Sequence, residues 1–394
     1  MVGAGLATLG VAALASLFMA WAIGAGSSGS TPFAPAVGAN AITVMRAGFV
    51  VGILGLAGAV FQGANVSEAV GSELVVGVTL SPLAATTALS TAAILVAIGV
   101  FAGYPIATAF TVTGAVVGTG LAMGGGAAWP KYRQIAALWV LVPFVGGGTA
   151  YVTARGLRDI GRDRVLVPLL AGVVGVIVAN IQFAFLGGPG EGQSLAQTAA
   201  AGALGSTSLA AQAGVTLAFA ALVAAALYRD VAGDPERGQR HFLLALGGLV
   251  AFSAGGSQVG LAVGPLLPLV GDEVPLVYVL LGGGIGLLVG SWTGAPRMIK
   301  ALAQDYSSLG PRRSIAALIP SFAIAQSAVF FGIPVSFNEI IVSAIVGSGY
   351  AAAGGSGGGV SGRKMLFTVL AWVASLVLAL AVSYGVFAGV DALI

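Results

Sequence analysis

Few side chains in the long apolar runs of this sequence could do chemistry, and Glu339 is the clearest of them. It stands with Ser336 and Asn338 just after Pro334, in a stretch otherwise apolar enough to lie in a bilayer. A carboxylate at the centre of a membrane helix costs about 2.5–3.5 kcal/mol on insertion scales, and such a group is functional by default. The sequence therefore predicts a binding or proton-transfer role for Glu339, against the alternative of a neutral acid that donates to a nearby carbonyl.

Three other segments also place polar groups or bare backbone inside apolar runs. Residues 21–41 mix glycines, serines and prolines in a way that no straight helix tolerates, which predicts an unwound segment with inward-facing amides and hydroxyls. Residues 252–267 carry a similar polar group, and Thr108 follows Pro105. A single hydroxyl of this kind more often bonds its own backbone or a neighbouring helix than a ligand.

Taken together, the four segments are rich in hydrogen-bond donors, and two of them stand where half-helices begin, which is typical of an anion site. None contains arginine or lysine, which suits an anion that must leave as well as enter. The predicted anion-binding residues are Gly26, Ser27, Ser28, Thr108, Ser257, Gln258, Ser336 and Asn338.

The elements that must position these residues are membrane helices. Apolar residues make up 58% of the 394 and charged residues 7%, against about 25% charged in soluble domains. With no cysteine and one histidine, His241, expected in a polar loop, the chain excludes zinc, haem, iron–sulfur and thiol chemistry, and no cofactor or metal site is predicted. Basic loops beside a membrane explain the net charge of +3 without nucleic acid.

Twelve apolar segments approach the length of about 20 residues that a membrane span needs. The predicted fold class is therefore all-α, a polytopic membrane protein with about 12 transmembrane segments. The junctions after the third and tenth segments are little more than Gly-Tyr-Pro and Gly-Ile-Pro, which indicates helical hairpins or broken, re-entrant helices. The segments are 3–25, 46–63, 83–103, 106–123, 134–153, 165–187, 204–228, 242–262, 275–294, 314–331, 335–352 and 364–388.

Basic residues orient the predicted bundle in the cell membrane. Arginine and lysine clusters lie between spans five and six, seven and eight, and nine and ten, which predicts that these loops are cytoplasmic. The loops that contain Glu191 and Glu273 carry only acids, which places them and both termini outside. Lys131 and Arg133 then also lie outside, although basic residues near membrane helices are usually cytoplasmic.

A repeat relates the two half-helix segments. Shifted by 229 residues without a gap, residues 101–122 match residues 330–351 at eight of 22 positions, including Pro105 with Pro334. Because spans three to five then correspond to spans ten to twelve, seven spans apart, the copies face opposite ways, as in secondary transporters. Within one integral membrane domain, the prediction is a first inverted repeat at 1–164, connecting spans at 165–241 and a second inverted repeat at 242–394.

These motifs resemble the inorganic phosphate transporter (PiT) family of secondary anion carriers. That family carries two Gly-Ala-Asn-Asp-Val-Ala-Asn signatures, each followed by Pro-Val-Ser-Thr-Thr-His. Here residues 255–259 and 334–339 are similar to the second pair of motifs, and residues 23–27 and 105–110 to the first. The resemblance implies a secondary carrier that moves an inorganic anion by alternating access.

The departures from those motifs bear on the substrate and the coupling ion. Both signature Asn-Asp pairs are absent, and the two motif histidines have become Phe110 and Glu339. The family's aspartates help bind the coupling sodium, so sodium coupling is disfavoured, and their loss is similar to the family's proton-coupled sulfate permease branch. A donor-only site also suits sulfate, whereas phosphate carries a proton that needs an acceptor such as Glu339.

The hypothesis from the sequence is a proton-coupled permease for a tetrahedral oxyanion, with sulfate slightly favoured over phosphate. Glu339 carries the coupling proton in this hypothesis. A sodium-coupled phosphate transporter and a passive anion channel are the alternatives, and a membrane enzyme is disfavoured because the chain offers no nucleophile paired with a base. The expected partners are sulfate or phosphate and the lipid bilayer, and a homodimer is a possible assembly.

Overall fold

The computed structural model describes residues 2–183, 186–187, 192–352 and 362–393, so Glu191 lies outside the described residues. Within them the fold is helical, with two short antiparallel ribbons. The helices are α1 Val2–Ile23, α2 Ala34–Gly38, α3 Val44–Gln62, α4 Ala64–Ser72, α5 Pro82–Ala102, α6 Thr108–Ala122, α7 Trp129–Ile160, α8 Asp163–Asn180, α9 Leu195–Leu204, α10 Leu209–Gly233, α11 Pro235–Val263, α12 Leu267–Val270, α13 Leu276–Thr293, α14 Ala295–Gln304, α15 Pro311–Phe330, α16 Phe337–Ala352 and α17 Gly362–Asp391. The ribbons pair β1 Val75–Val76 with β2 Gly126–Ala127, and β3 Gln182–Phe183 with β4 Gln193–Ser194.

A helix coincides with each of the twelve predicted spans. Ten helices in the described part of the chain are long and apolar enough to cross a membrane. The remaining two, α6 and α16, have 15 and 16 residues, short of the roughly 20 that a full crossing takes. The prediction of an all-α polytopic membrane protein with broken helices is therefore confirmed.

Both half-helices arise from the same local chemistry. Gly103 and Gly332 adopt left-handed conformations, with φ of 74° and 59°, just after α5 and α15 end. Pro105 and Pro334 follow two residues later, and a proline both lacks a backbone donor and keeps the residue before it out of the helical region. The chain therefore runs non-helically from Gly103 to Ala107 before α6 begins, and it does the same before α16.

The packing of the long helices follows the sequence repeat. Half-helix α6 packs on α17, and half-helix α16 packs on α7. Likewise α1 packs on α13 while α11 packs on α3, and α1 packs on α5 as α11 packs on α15. Each of these contacts therefore has a counterpart in the set. The counterpart is found by replacing α1, α3, α5, α6 and α7 with α11, α13, α15, α16 and α17, and the reverse. Each half-helix is held by the last helix of the other copy.

Helices α8 and α10 belong to neither copy. They pack on each other and on α11, and Asn180 joins them by donating to the hydroxyl of Thr216 at 3.2 Å. Few of the α10 side chains are buried. The proposed division of the chain at 164 and 241 separates this pair from the two copies, and it remains a prediction.

One end of the bundle gathers the loops predicted to be cytoplasmic. Asp163, at the start of α8, forms an ion pair with Arg312 of α15 at 2.8 Å and accepts from Gln239 of α11 at 3.0 Å. Lys131, which breaks the charge rule, pairs with Glu73 at 2.6 Å, so its charge is neutralised locally.

The predicted polar loop around His241 is instead the first part of α11. Asp234 caps this helix, because its carboxylate accepts from the backbone N–H groups of Glu236 at 3.0 Å and Arg237 at 3.1 Å. The helix therefore begins seven residues before the predicted span at 242. His241 lies on it with Nδ1 2.6 Å from the Asp230 carboxylate.

The close contact between α16 and α7 yields a stability prediction. A Cβ atom added to Gly347 would collide with the backbone oxygen of Gly147, whereas one added to Gly148 meets open space. We expect Gly347→Ala to destabilise the protein by about 1–3 kcal/mol, the usual cost of overpacking. Gly148→Ala, on the neighbouring residue of α7, is the control. Thermal unfolding of the detergent-solubilised variants measures the effect, and equal melting temperatures would contradict it.

Candidate anion-binding site

The first polar segment leaves the α-helical path at the end of α1. Residues Gly24–Ser28 form a turn of π-helix, and all five are buried. The Ser27 carbonyl accepts from the backbone N–H groups of Ser30 and Thr31, both at 3.0 Å, and from their two hydroxyls. This turn uses the hydroxyls of Ser30 and Thr31 locally and leaves the Ser27 side chain directed elsewhere. The predicted break after span one is confirmed, in the form of a π-helix followed by turns.

The second polar segment stays helical. Ser257 and Gln258 lie within α11, which continues to Val263 before a 3-10 turn at Gly264–Leu266. The two copies therefore differ at the backbone, because only the first one widens into a π-helix. A regular helix presents these side chains to the centre of the bundle, and neither has measurable exposure.

The Gln258 side chain connects four segments. Its Oε1 accepts from the hydroxyl of Thr108 at 2.8 Å and from that of Ser27 at 3.1 Å. Its Nε2 donates to the backbone oxygen of Val335 at 2.6 Å. The π-helix, the start of α6, helix α11 and the break before α16 thus meet at one amide.

Asn338 makes a second connection of the same kind. Its Nδ2 donates to the backbone oxygen of Gly26 at 2.9 Å and to that of Ile106 at 2.7 Å. Asn338 lies in the first turn of α16, so it links that half-helix to the π-helix and to the break before α6. Gly26 therefore contributes its backbone oxygen to the site.

The N-termini of both half-helices lie at these connections. The first backbone bonds of α6 and α16 are those from Thr111 to Ala107 and from Ile340 to Ser336. The amides that precede them, at the starts of the two helices, have no acceptor within their own helix. Two positive helix ends therefore meet around Gln258 and Asn338, which favours a bound anion.

Several buried polar atoms around these helix ends have no hydrogen-bond partner. Buried polar side-chain atoms in native proteins are mostly bonded, so a group of unused ones needs an explanation. The serine and threonine hydroxyls among them can donate or accept, the Asn338 oxygen accepts, and the Glu339 oxygen accepts unless it carries a proton. The unpartnered atoms are Ser28 Oγ, Ser257 Oγ, Ser336 Oγ, Asn338 Oδ1, Glu339 Oε2, Thr113 Oγ1 and Ser343 Oγ.

Glu339 is 1% exposed and has no basic partner among the ion pairs of the described residues. Phe110, which corresponds to it in the other copy, stacks on Trp139 with ring centroids 3.8 Å apart. The described residues also contain no group of three His, Cys, Asp or Glu side chains that could hold a metal ion. The site is therefore rich in donors and contains one carboxyl group without a basic partner among the described residues.

The structure buries every residue predicted for the site, and hydrogen bonds connect five of them, namely Gly26, Ser27, Thr108, Gln258 and Asn338. Their role in anion binding stays a prediction. Sequence reasoning missed Ser343, although its i+4 spacing from Glu339 on α16 puts the two on one face. It also missed the carbonyls of Ile106 and Val335, because backbone groups carry no residue-type signal.

The protein also contains a cavity of about 560 Å³, which none of the predicted site residues lines. It lies where α3 and α15 end, at the opposite end of α15 from the Arg312 ion pair. Gln62 and Gln326 line it and exchange hydrogen bonds at 3.1 and 3.3 Å. Gln326 also donates to the Ser253 hydroxyl at 2.6 Å, one helical turn before Ser257. Gln326 thus connects the lining of the cavity to α11, one turn before Ser257.

Comparison with known proteins finds relatives along almost the whole chain. The sequence pattern of the Phosphate transporter family matches residues 23–383. Proteins named as phosphate permeases in Thermococcus kodakarensis and Pyrococcus furiosus are 25% and 27% identical over 361 residues, or 84% of this chain and 86% and 85% of theirs. Inorganic phosphate transporter 2-1 of Arabidopsis thaliana is 24% identical over 86% of this chain and 65% of its own.

A solved structure described as the sodium-dependent phosphate transporter superposes with a TM-score of 0.81. It covers 98% of this chain and 100% of its own, at 22% identity, which establishes a shared fold. The names of these relatives all refer to phosphate and give no support to the expected preference for sulfate.

Proposed function

The chain belongs to the Phosphate transporter family, and on that premise we propose that it is a permease that carries inorganic phosphate across the membrane. The observation that carries this proposal is the group of unpartnered polar atoms between the two half-helix starts. Hydroxyls and helix-end amides donate to the phosphate oxygens, with no arginine or lysine to hold the anion too tightly.

Phosphate suits these atoms better than sulfate does. At neutral pH phosphate keeps at least one proton, so it can donate as well as accept, whereas sulfate can only accept. The Oδ1 of Asn338 is a buried acceptor without a donor, and so is the Oε2 of Glu339 once this carboxyl group has released its proton. A bound sulfate would leave the Asn338 oxygen unsatisfied, and an unsatisfied buried polar group costs about 1–3 kcal/mol.

Alternating access fits the arrangement of the ends. The cavity lined by Gln62 and Gln326 gives access from one end, and the pair between Asp163 and Arg312 joins α8 to α15 at the other. Transport then requires the amide pair to separate and the opposite end to open in turn. A passive anion channel would need no such alternation and would show no saturation.

Uptake into proteoliposomes tests the substrate. We expect uptake of labelled phosphate to saturate, to be abolished by excess unlabelled phosphate and to survive mostly intact in the same concentration of sulfate. Strong inhibition by sulfate, or uptake of labelled sulfate at a similar rate, would overturn the preference for phosphate. Uptake that rises linearly with concentration would favour a channel instead.

Proton coupling through Glu339 is the second part of the proposal. A carboxyl group with a free oxygen and no basic partner can bind and release a proton during the cycle, while a sodium site prefers several carboxylate or carbonyl oxygens. We expect a pH gradient to accelerate phosphate uptake by the wild-type protein, and Glu339→Gln to lose that acceleration while still binding phosphate.

The matched control for that variant is Glu236→Gln, an exposed carboxyl group at the start of α11. It is expected to keep the response to the pH gradient. A full response in Glu339→Gln would refute the proton role, and wild-type uptake driven by a sodium gradient alone would identify sodium as the coupling ion.

A further inference from the structure

Two tryptophans make the same contact in the two copies. The indole N–H of Trp372, in α17, donates to the backbone oxygen of Pro105 at 2.8 Å. The indole N–H of Trp139, in α7, donates to the backbone oxygen of Pro334 at 3.0 Å. Each break is therefore held by a tryptophan from the last helix of the other copy. The two tryptophans are separated by nearly the same number of residues as the two prolines.

The carbonyl that each indole binds is next in sequence to a carbonyl that binds an amide of the anion site. In the first break the carbonyl after Pro105 belongs to Ile106 and binds Asn338. In the second break the carbonyl after Pro334 belongs to Val335 and binds Gln258. Two successive carbonyls are thus occupied in each break, one by an indole and the other by an amide of the anion site.

Further hydrogen bonds of the two breaks lie at their beginnings, where Tyr104 and Ile333 donate to the ends of α5 and α15 and Lys131 donates to the Gly332 oxygen. The residues of the breaks are outside regular helix, and a proline supplies no N–H of its own. If an indole released its carbonyl, the neighbouring carbonyl would be free to rotate and would carry Asn338 or Gln258 with it. The two indoles therefore control where the site amides and the half-helix ends lie.

Trp139 has an additional role because it also stacks on Phe110 of α6, with an interplanar angle of 19°. A single side chain consequently contacts half-helix α6 and the break before α16. Trp372 is instead almost fully buried, at 3% exposure. Displacement of Trp139 should accordingly disturb both helix ends, whereas displacement of Trp372 should disturb the first break.

We propose that Trp139 and Trp372 are positioning residues that hold the two breaks in the geometry needed to bind the transported anion. This inference rests on the proposed phosphate transport only for its functional readout. The hydrogen bonds themselves predict a local change in the backbone that is independent of substrate.

The test uses Trp139→Phe and Trp372→Phe, which keep an aromatic ring and remove the N–H. Trp292→Phe is the matched control, because the Trp292 indole also donates to a backbone oxygen, that of Phe49 at 3.2 Å, away from both breaks. We expect the KM for phosphate to rise about fivefold in each test variant, as for loss of one ordinary hydrogen bond, with less change in maximal rate. The control should stay near the wild-type KM.

Hydrogen exchange followed by mass spectrometry supplies the second readout. Amides at 103–108 should exchange faster in Trp372→Phe and those at 332–337 faster in Trp139→Phe, with no such change in Trp292→Phe. Unchanged exchange in both breaks, or a KM shift equal in all three variants, would overturn the inference. Faster exchange without saturable phosphate uptake by the wild-type protein would support the positioning role and refute the proposed function.

Discussion

Replacing Gln258 with leucine should lower phosphate kcat/KM by at least about 30-fold. The change removes the acceptor of Ser27 and Thr108 and the donor to Val335, and each orphaned buried group costs about 1–3 kcal/mol. Two such costs come to about 2 kcal/mol at the lower bound, which at 1.4 kcal/mol per factor of ten is close to 30-fold. Initial uptake rates into proteoliposomes, normalised to the amount of folded protein, measure the effect.

Gln258→Glu separates binding from folding at this position. The carboxylate keeps an acceptor for both hydroxyls, loses the donor to Val335 as leucine does, and adds a negative charge where the anion binds, so the KM should rise although the hydroxyls remain bonded. Gln212→Leu, in α10, removes an amide that donates to the Thr207 carbonyl just before that helix and serves as the control. If Gln258→Leu transported phosphate as fast as Gln212→Leu, the hydrogen bonds of Gln258 would have no part in transport.

Asn338→Asp should be the second most damaging change. The variant is nearly isosteric, yet it turns the donor that faces the Gly26 and Ile106 oxygens, at 2.9 and 2.7 Å, into a negatively charged acceptor. Loss of two hydrogen bonds and the new repulsion should reduce kcat/KM at neutral pH by at least about tenfold. Uptake kinetics measured from acidic to neutral pH, relative to wild type at each pH, give the value.

The pH dependence identifies the cause. A protonated aspartic acid can donate to one of the two carbonyls, so Asn338→Asp should regain part of its activity in acid. Asn338→Leu also loses both bonds but has no proton to bind, and its deficit should persist. Equal recovery of the two variants would show that the recovery arises elsewhere, and wild-type kinetics in Asn338→Asp would contradict the role of this amide.

Local sequence signals were sufficient to predict where most membrane helices of this fold begin and end. The Gly-x-Pro junctions at Gly103 and Gly332 predict the half-helices, because a left-handed glycine and a proline end a helix wherever they stand. Apolar length likewise locates the spans. The early start of α11 was missed because Asp234 caps it from within a charged segment that has no apolar signal.

The site was predictable as a set of residues and not as a set of contacts. Buried polar residue types identified Ser27, Thr108 and Gln258, but the sequence does not reveal that one amide accepts from both hydroxyls across 231 and 150 residues. Counting side chains by type overestimates the donors that are free to bind an anion, because several of these side chains donate to backbone oxygens instead. The unused acceptors that favour phosphate emerge only once those bonds are assigned.

The exchange of half-helices between the copies has a consequence for assembly in the membrane. Gly118 of α6 packs against the backbone of Leu380 in α17, and Gly347 of α16 packs against that of Gly147 in α7. During synthesis α7 is already present when α16 emerges, whereas α6 must wait for α17, about 240 residues later in the chain. The first half-helix therefore stays without its final neighbour until α17 inserts, so completion of the first copy depends on synthesis of the second.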